Sequence, residues 1–304
     1  MRIAGSGVPG APKHILFATD FSPLAGRAGR FVSRIAKHSS ARVLVIHVFT
    51  PSGAPHMPDG GIAVKASLRE AEERLAQTVT QFVAKNIQSE AILSEAMQTT
   101  KAILELAGDR GADLIAIGTR GLGALGRLAL GSVAQQLIHE AECPVLTVGP
   151  HVKEPQPESK FQRIVCATDF SEDATAAVDF ALSFTQNYGA HMYLCHVLPK
   201  PDSKHPADTE ELNEKFKAEL VRLIPGLARE WCDPECVLDH GYAVDGILLL
   251  SNRVKADLIV LGTRRFSHWF GSIRAGIAFE VIRRANCPVL TVRKQVQVAL
   301  RGQR

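Results

Sequence analysis

Short, uninterrupted apolar runs alternate along this chain with longer amphipathic stretches, and the whole alternation occurs twice. In the first half the apolar cores fall at Ile15–Ala18, Val43–Val48, Ala91–Leu93, Leu114–Ile117 and Val145–Val148. Runs without polar alternation suit strands buried on both faces of a parallel sheet. Ser22 stands where it can cap a helix, with Pro23 at the first helical position. Leu24, Ala28, Phe31, Val32, Ile35 and Ala36 then recur at spacings of three and four, which makes one apolar helix face. Ser171 opens an equivalent helix, whose stripe is Ala174, Ala177, Val178, Ala181, Leu182 and Thr185. Long second helices are expected at Val64–Asn86 and Asp208–Glu230, each reached through a loop, Thr50–Ile62 and Pro199–Ala207. Each half thus predicts a doubly wound, five-stranded parallel α/β domain with right-handed crossovers.

The repetition extends to the letters. HILFATDFS at His14–Ser22 returns as RIVCATDFS at Arg163–Ser171, and ADLIAIGTR at Ala112–Arg120 returns as ADLIVLGTR at Ala256–Arg264. Both halves close on CPVLTV, at Cys143–Val148 and Cys287–Val292, and from Gly118 and Gly262 onward they align without a gap. Such order and spacing mark a tandem duplication. The expected domains are residues 1–149 and 163–295. Residues 150–162, rich in proline and charge, read as an exposed, stiff linker, and 296–304 as a tail.

Composition narrows the class. At 304 residues with 46% hydrophobic and 22% charged residues, each half can bury a core, so a disordered chain is excluded. No apolar stretch approaches the roughly 18 residues of a membrane helix. The first residues show no continuous apolar segment of the kind an export signal carries. The formal net charge of +4 is mild and the basic residues are scattered among 6% aromatics, which argues against nucleic acid as partner. Six cysteines are too few to staple this length, so reduced thiols in a cytoplasm are expected.

The candidate chemistry sits after the fourth strand. Gly118, Gly121, Gly131 and Ser132 form a Gly-x2-Gly-x9-Gly-Ser pattern that opens the helix Val133–Glu140. Gly118 and Gly121 allow a tight turn and close approach to a ligand. Gly131 and Ser132 place bare N–H groups and a hydroxyl at a helix N-terminus, which suits a phosphate. Asp20, after Thr19 at the end of the first strand, could accept ribose hydroxyls or simply cap the next helix. Such sites lie beyond strand ends where the strand order reverses.

On these motifs, together with the His47-Val48 pair after the second strand, the chain resembles a tandem universal stress protein over nearly its whole length. The resemblance implies Rossmann-like domains of the adenine nucleotide alpha hydrolase type, packed as an internal pseudo-dimer with Val145–Val148 against Val289–Val292. A homodimer through the same last strands is the other use of that surface. It also implies ATP or AMP as ligand, with Mg²⁺ at the phosphates. Asp20, beside Ala18 and Thr19, would then meet the ribose and the backbone at Val48 the adenine edge. Gly118, Arg120, Gly121, Gly131, Ser132 and Val133 would line the phosphates.

The second half departs from this pattern. Gapless alignment places Arg265 opposite Gly121, Ala275 opposite Gly131 and Gly276 opposite Ser132, leaving Gly262 and Asp169 of the set. One nucleotide site per chain is therefore expected, with an anion site at Arg264, Arg265 and Arg274 as the alternative for the second loop. Gly121–Gly126 also matches G-x-G-x-x-G, but after the wrong strand for a dinucleotide fold. Cys232, Cys236 and His240 hint at a metal, yet no second pair completes a tetrahedral set. His47 and His196 read as packed structural residues, and no nucleophile–base pair is visible. The classes left are a nucleotide-dependent regulator, a slow ATPase or autophosphorylating enzyme with Ser132 or Thr119 as acceptor, and a nucleotide-free scaffold.

Overall fold

The structure, a computed structural model, describes residues 11–50, 60–119, 130–156, 159–200, 206–230, 232, 234–263 and 276–294. The first half runs β1 (His14–Ala18), α1 (Pro23–Ser39), β2 (Arg42–Phe49), α2 (Gly60–Val83), β3 (Ser89–Glu95), α3 (Thr99–Asp109), β4 (Leu114–Gly118), α4 (Ser132–Glu140) and β5 (Val145–Val148). The second repeats it as β6 (Arg163–Ala167), α5 (Glu172–Tyr188), β7 (His191–Leu198), α6 (Pro206–Arg222), β8 (Glu235–His240), α7 (Ala243–Arg253), β9 (Leu258–Gly262), α8 (Ile277–Arg284) and β10 (Val289–Val292). Ser22 and Ser171 cap α1 and α5, accepting from the Ala25 and Ala174 amides at 3.2 and 3.3 Å. Every residue of both predicted stripes is buried except Leu24, which is half-buried.

The ten strands form one sheet in the order β3-β2-β1-β4-β5-β10-β9-β6-β7-β8. Pairing is parallel within each half, and β5 meets β10 antiparallel, with Leu146 opposite Leu290. The buried hydroxyls of Thr147 and Thr291 cross this seam to donate to the Val289 and Val145 carbonyls at 2.9 and 3.3 Å. Because side chains alternate along a strand, β4 sends Leu114 and Ala116 to the core under α1, α2, α5 and α6. It sends Ile115 and Ile117 to the opposite core, under α3, α4, α7 and α8.

Four expectations change. The outermost strands β3 and β8 are half-exposed, not doubly buried, because each has only one neighbour. The edge is charged accordingly: Glu90 on β3 takes Arg42 and Arg110. The second long helix of the second half stops at Arg222, and Gly226–Glu230 is a separate 3₁₀ turn. Pro225, with no N–H to offer, stands between them. Its first-half counterpart, α2, begins at Gly60 and ends at Val83.

The segment between the halves is exposed along most of its described length, as expected, but docks at two points. Val152 is 2% and Phe161 0% exposed. Arg27 donates to the Val152 carbonyl, and Glu154 bridges Arg27 and Arg30 of α1. Finally, β5 and β10 each have both edges occupied, so neither is open for pairing with a second chain. The homodimer through the last strands is therefore replaced by the internal pairing. Most of the loops Thr50–Ile62 and Pro199–Ala207, and the tail 296–304, lie outside the described residues.

Candidate functional site

At the carboxyl end of β1 the chain makes a tight, self-bonded turn. The Thr19 hydroxyl accepts from the Phe21 amide at 3.0 Å, and Asp20 Oδ1 accepts from the Ser22 amide at 3.0 Å. Phe21 is held at φ 62°, a left-handed conformation that is costly for a bulky residue. His47 Nδ1 lies 2.8 Å from the Thr19 carbonyl, and its ring packs 4.4 Å from that of Phe21. With a carbonyl as partner, Nδ1 must carry the proton and donate. The second half reproduces the turn bond for bond: Thr168 accepts from Phe170, Asp169 from Ser171, and His196 Nδ1 lies 2.7 Å from the Thr168 carbonyl. Both histidines thus hold a turn in place. Asp20 has two roles open to it, since it supports the cap residue Ser22 and also faces a cavity.

That cavity, about 390 Å³, lies between the ends of β1, β2 and β4 and the start of α4. Ala18, Thr19, Asp20, Val48, Gly118, Gly131, Ser132 and Val133 all line it. Gly131 is the N-cap of α4, and among the described residues no side-chain cap bonds the helix N–H groups there, so that end presents bare donors. The Thr119 hydroxyl, in a residue 2% exposed, has no hydrogen-bond partner among the described residues, which leaves polar capacity beside the cavity. Arg120 and Gly121, and the Gly121–Gly126 match, lie outside the described residues.

Gly118 has a different physical reason from the one the loop pattern suggests. A Cβ built on it would stand 2.8 Å from the Ala25 amide nitrogen and the Leu24 carbonyl carbon. Its bareness lets β4 pass close under the first turn of α1, although its backbone also lines the cavity. Gly262 is the same: a Cβ would meet Ala174 N and Asp173 C at 2.6 Å. Survival of Gly262 in the second half is therefore a packing requirement and no mark of a ligand.

The second half has its own cavity in the corresponding place, about 430 Å³. Its helix α8 starts one position later than the gapless alignment implies, with Gly276 as N-cap in the role of Gly131. The glycine cap is thus retained and the adjoining serine is lost. Arg264, Arg265, Arg274 and Ala275 lie outside the described residues.

Among the described residues no cluster of three His, Cys, Asp or Glu could hold a metal, and no helix is long and apolar enough to cross a membrane. No disulfide joins any of the six cysteines. Burial pushes the thiols of Cys143, Cys195 and Cys287 up to about 12 and raises that of Cys166. These four are expected to stay protonated and to resist alkylation at pH 8, since the thiolate is the nucleophile. Peptide mapping after brief iodoacetamide treatment checks this; labelling of the four as fast as in denatured protein would contradict it.

Two doubly wound domains, each opening a cavity at the switch point between the strand carrying the Asp turn and its fourth-strand neighbour, define a tandem α/β protein. The pattern of the Universal stress protein family matches residues 12–149 and again 160–293, and the chain belongs to that family, with its domain present twice. A universal stress protein of Thermus aquaticus is 39% identical over 140 residues, covering 45% of this chain and 98% of the relative. One from Mycolicibacterium smegmatis is 24% identical over 286 residues, covering 92% of this chain and 96% of its own length. The crystal structure of a universal stress protein from Archaeoglobus fulgidus shares the fold at TM-score 0.69 and 22% identity, covering 92% of this chain and 98% of that one.

Proposed function

We propose that the chain binds one adenine nucleotide, ATP or AMP, in the cavity of its first domain (1–149), and that occupancy biases its contacts with partners in a cytoplasmic stress response. The observation that carries this reading is the bare N-terminus of α4, capped by Gly131 alone, facing one cavity with Asp20 and Val48. Helix N–H donors with positive charge, a carboxylate and a strand edge around one cavity suit phosphate, ribose and adenine respectively. In this reading Asp20, beside Ala18 and Thr19, takes the ribose hydroxyls. The Val48 backbone meets the base, and Gly118, Arg120, Gly121, Gly131, Ser132 and Val133 surround the phosphates. Mg²⁺ would travel with the phosphates, and the exposed Ser132 hydroxyl at the helix start lines the same cavity. The reading of a regulator is supported by the family and by the lack of any base poised against a nucleophile among the described lining residues.

Calorimetric titration of Mg-ATP into the nucleotide-free chain is expected to show one equivalent. Asp20→Ala should weaken it by roughly tenfold or more, the worth of a charge-assisted hydrogen bond. Asp169→Ala removes the same turn-supporting carboxylate from the second half and should leave the titration unchanged. Two equivalents, no binding, or equal effects of the two substitutions would overturn the assignment.

A further inference from the structure

We infer that the cavity of the second half is a separate small-molecule site, suited to an uncharged, ring-bearing ligand and not to a phosphate ester, with part of its wall supplied by the first half. It stands independently of nucleotide binding in the first domain. At about 430 Å³ it falls within the size range of small-ligand pockets, roughly 300–1,000 Å³.

The two cavities share one frame, so their walls can be compared place by place. Ala167, Thr168, Asp169 and Val197 stand where Ala18, Thr19, Asp20 and Val48 stand in the first. Around them two hydroxyls have gone, while those of Ser171 and Thr263 remain. Thr99 at the start of α3 becomes Ala243 at the start of α7. Counting from the two glycine caps, Ser132 becomes Ile277 and Ala134 becomes Phe279. Leu261, Ile247 and Ile138 complete an apolar wall.

Charge is alike in the two cavities: neither has a lysine or arginine among its described lining residues, and each has a single carboxylate, Asp169 in the second and Asp20 in the first. The helix end that could hold a phosphate is nonetheless compromised: Glu280 sits in the first turn of α8, where α4 has no acid. A carboxylate there already uses the favourable end of the helix dipole. A phosphate would meet Ile277 and Phe279 where the first cavity offers Ser132 and Ala134, whereas Asp169 could accept from hydroxyl or amine donors on an otherwise apolar ring.

The wall is closed from across the central seam. Ile138 and His139 at the far end of α4 line this cavity, and the His139 ring packs edge-on to Phe279 at 4.8 Å. Arg293, just past β10, donates to the carbonyls of His139 and Glu140 and so fixes that end of α4 against the second half. Among the described residues the first cavity draws no lining residue from the second half. The two sites are therefore unlike in construction as well as in chemistry.

N-phenyl-1-naphthylamine, an uncharged two-ring fluorophore, tests this on the full chain. Its emission should rise and saturate at one equivalent, with or without saturating Mg-ATP. Ala243→Trp, which fills the cavity, should weaken it by about tenfold or more, and the mirror substitution Thr99→Trp in the first cavity should not. In the unsubstituted protein, side-chain resonances of His139, Ile247 and Phe279 should shift on titration, a readout that survives even if Ala243→Trp folds poorly. No saturable rise, displacement by Mg-ATP, loss in Thr99→Trp in place of Ala243→Trp, or unmoved resonances would each overturn the proposal.

Discussion

Phe161→Ala is expected to destabilise the chain by about 3–5 kcal/mol, the cost of removing a fully buried aromatic ring and leaving a cavity. Phe161 is 0% exposed although it lies in the segment between the halves. Its ring lies 6.5 Å from Phe31 of α1 and 5.4 and 5.2 Å from Phe184 and Tyr188 of α5. Arg34 places its guanidinium 3.8 Å above the same ring. Burial lowers the pKa of Arg34, and Asp257 and Tyr188 oppose that effect. The half-buried charge therefore depends on the ring face for part of its stabilisation. Beside them, His38 stacks on Tyr188 at 3.9 Å and its Nε2 meets the Asn187 carbonyl at 2.8 Å. Removing the central ring loosens the contact of α1 with α5, so both halves lose support. Chemical denaturation followed by circular dichroism measures the loss. Phe161→Leu should recover much of it, and a loss below about 1 kcal/mol would show that the segment is a plain linker after all.

Gly262→Ala and Gly118→Ala should each cost about 1–3 kcal/mol or more, because the added methyl meets backbone and not a side chain that can turn away. The approach is closer at Gly262, 2.6 Å against 2.8 Å, so the larger loss is expected there. Gly226→Ala is the control, since a Cβ there meets nothing within 4 Å. Denaturation midpoints of the three variants decide the matter. If Gly118→Ala left stability unchanged and altered only ligand binding, the close approach of β4 to α1 would not be its reason for being glycine. An unchanged Gly262→Ala would contradict the packing account in both halves.

The Asp turn was legible because all its bonds are local. Thr19, Asp20 and Ser22 bond within three residues of themselves, and their copies in the second half do the same. The cavity residues Asp20, Gly131 and Ser132 were legible together because strand ends in this topology converge on one edge of the sheet, whereas Val48 came from the family resemblance. Gly118 was attributed to a ligand because sequence spacing does not reveal which backbone passes overhead. The make-up of the second cavity was hidden for a similar reason. Its wall uses Ile138 and His139 from the other half, and the glycine cap of α8 is displaced by one residue, so no aligned column exposes either fact.

By itself the sequence determined the duplication, the order of strands and helices, the caps at Ser22 and Ser171 and the apolar stripes of α1 and α5. Each of these depends on residues a few positions apart, or on one pattern written twice. Only the tertiary structure decided that β3 and β8 are edges, that β5 and β10 close one ten-stranded sheet, and that Phe161 plugs the seam between α1 and α5. It likewise decided that Gly118 and Gly262 serve helix–strand contact. These are outcomes of burial and close packing between segments far apart in the chain, and an apolar or small residue carries no local mark of the partner it will meet.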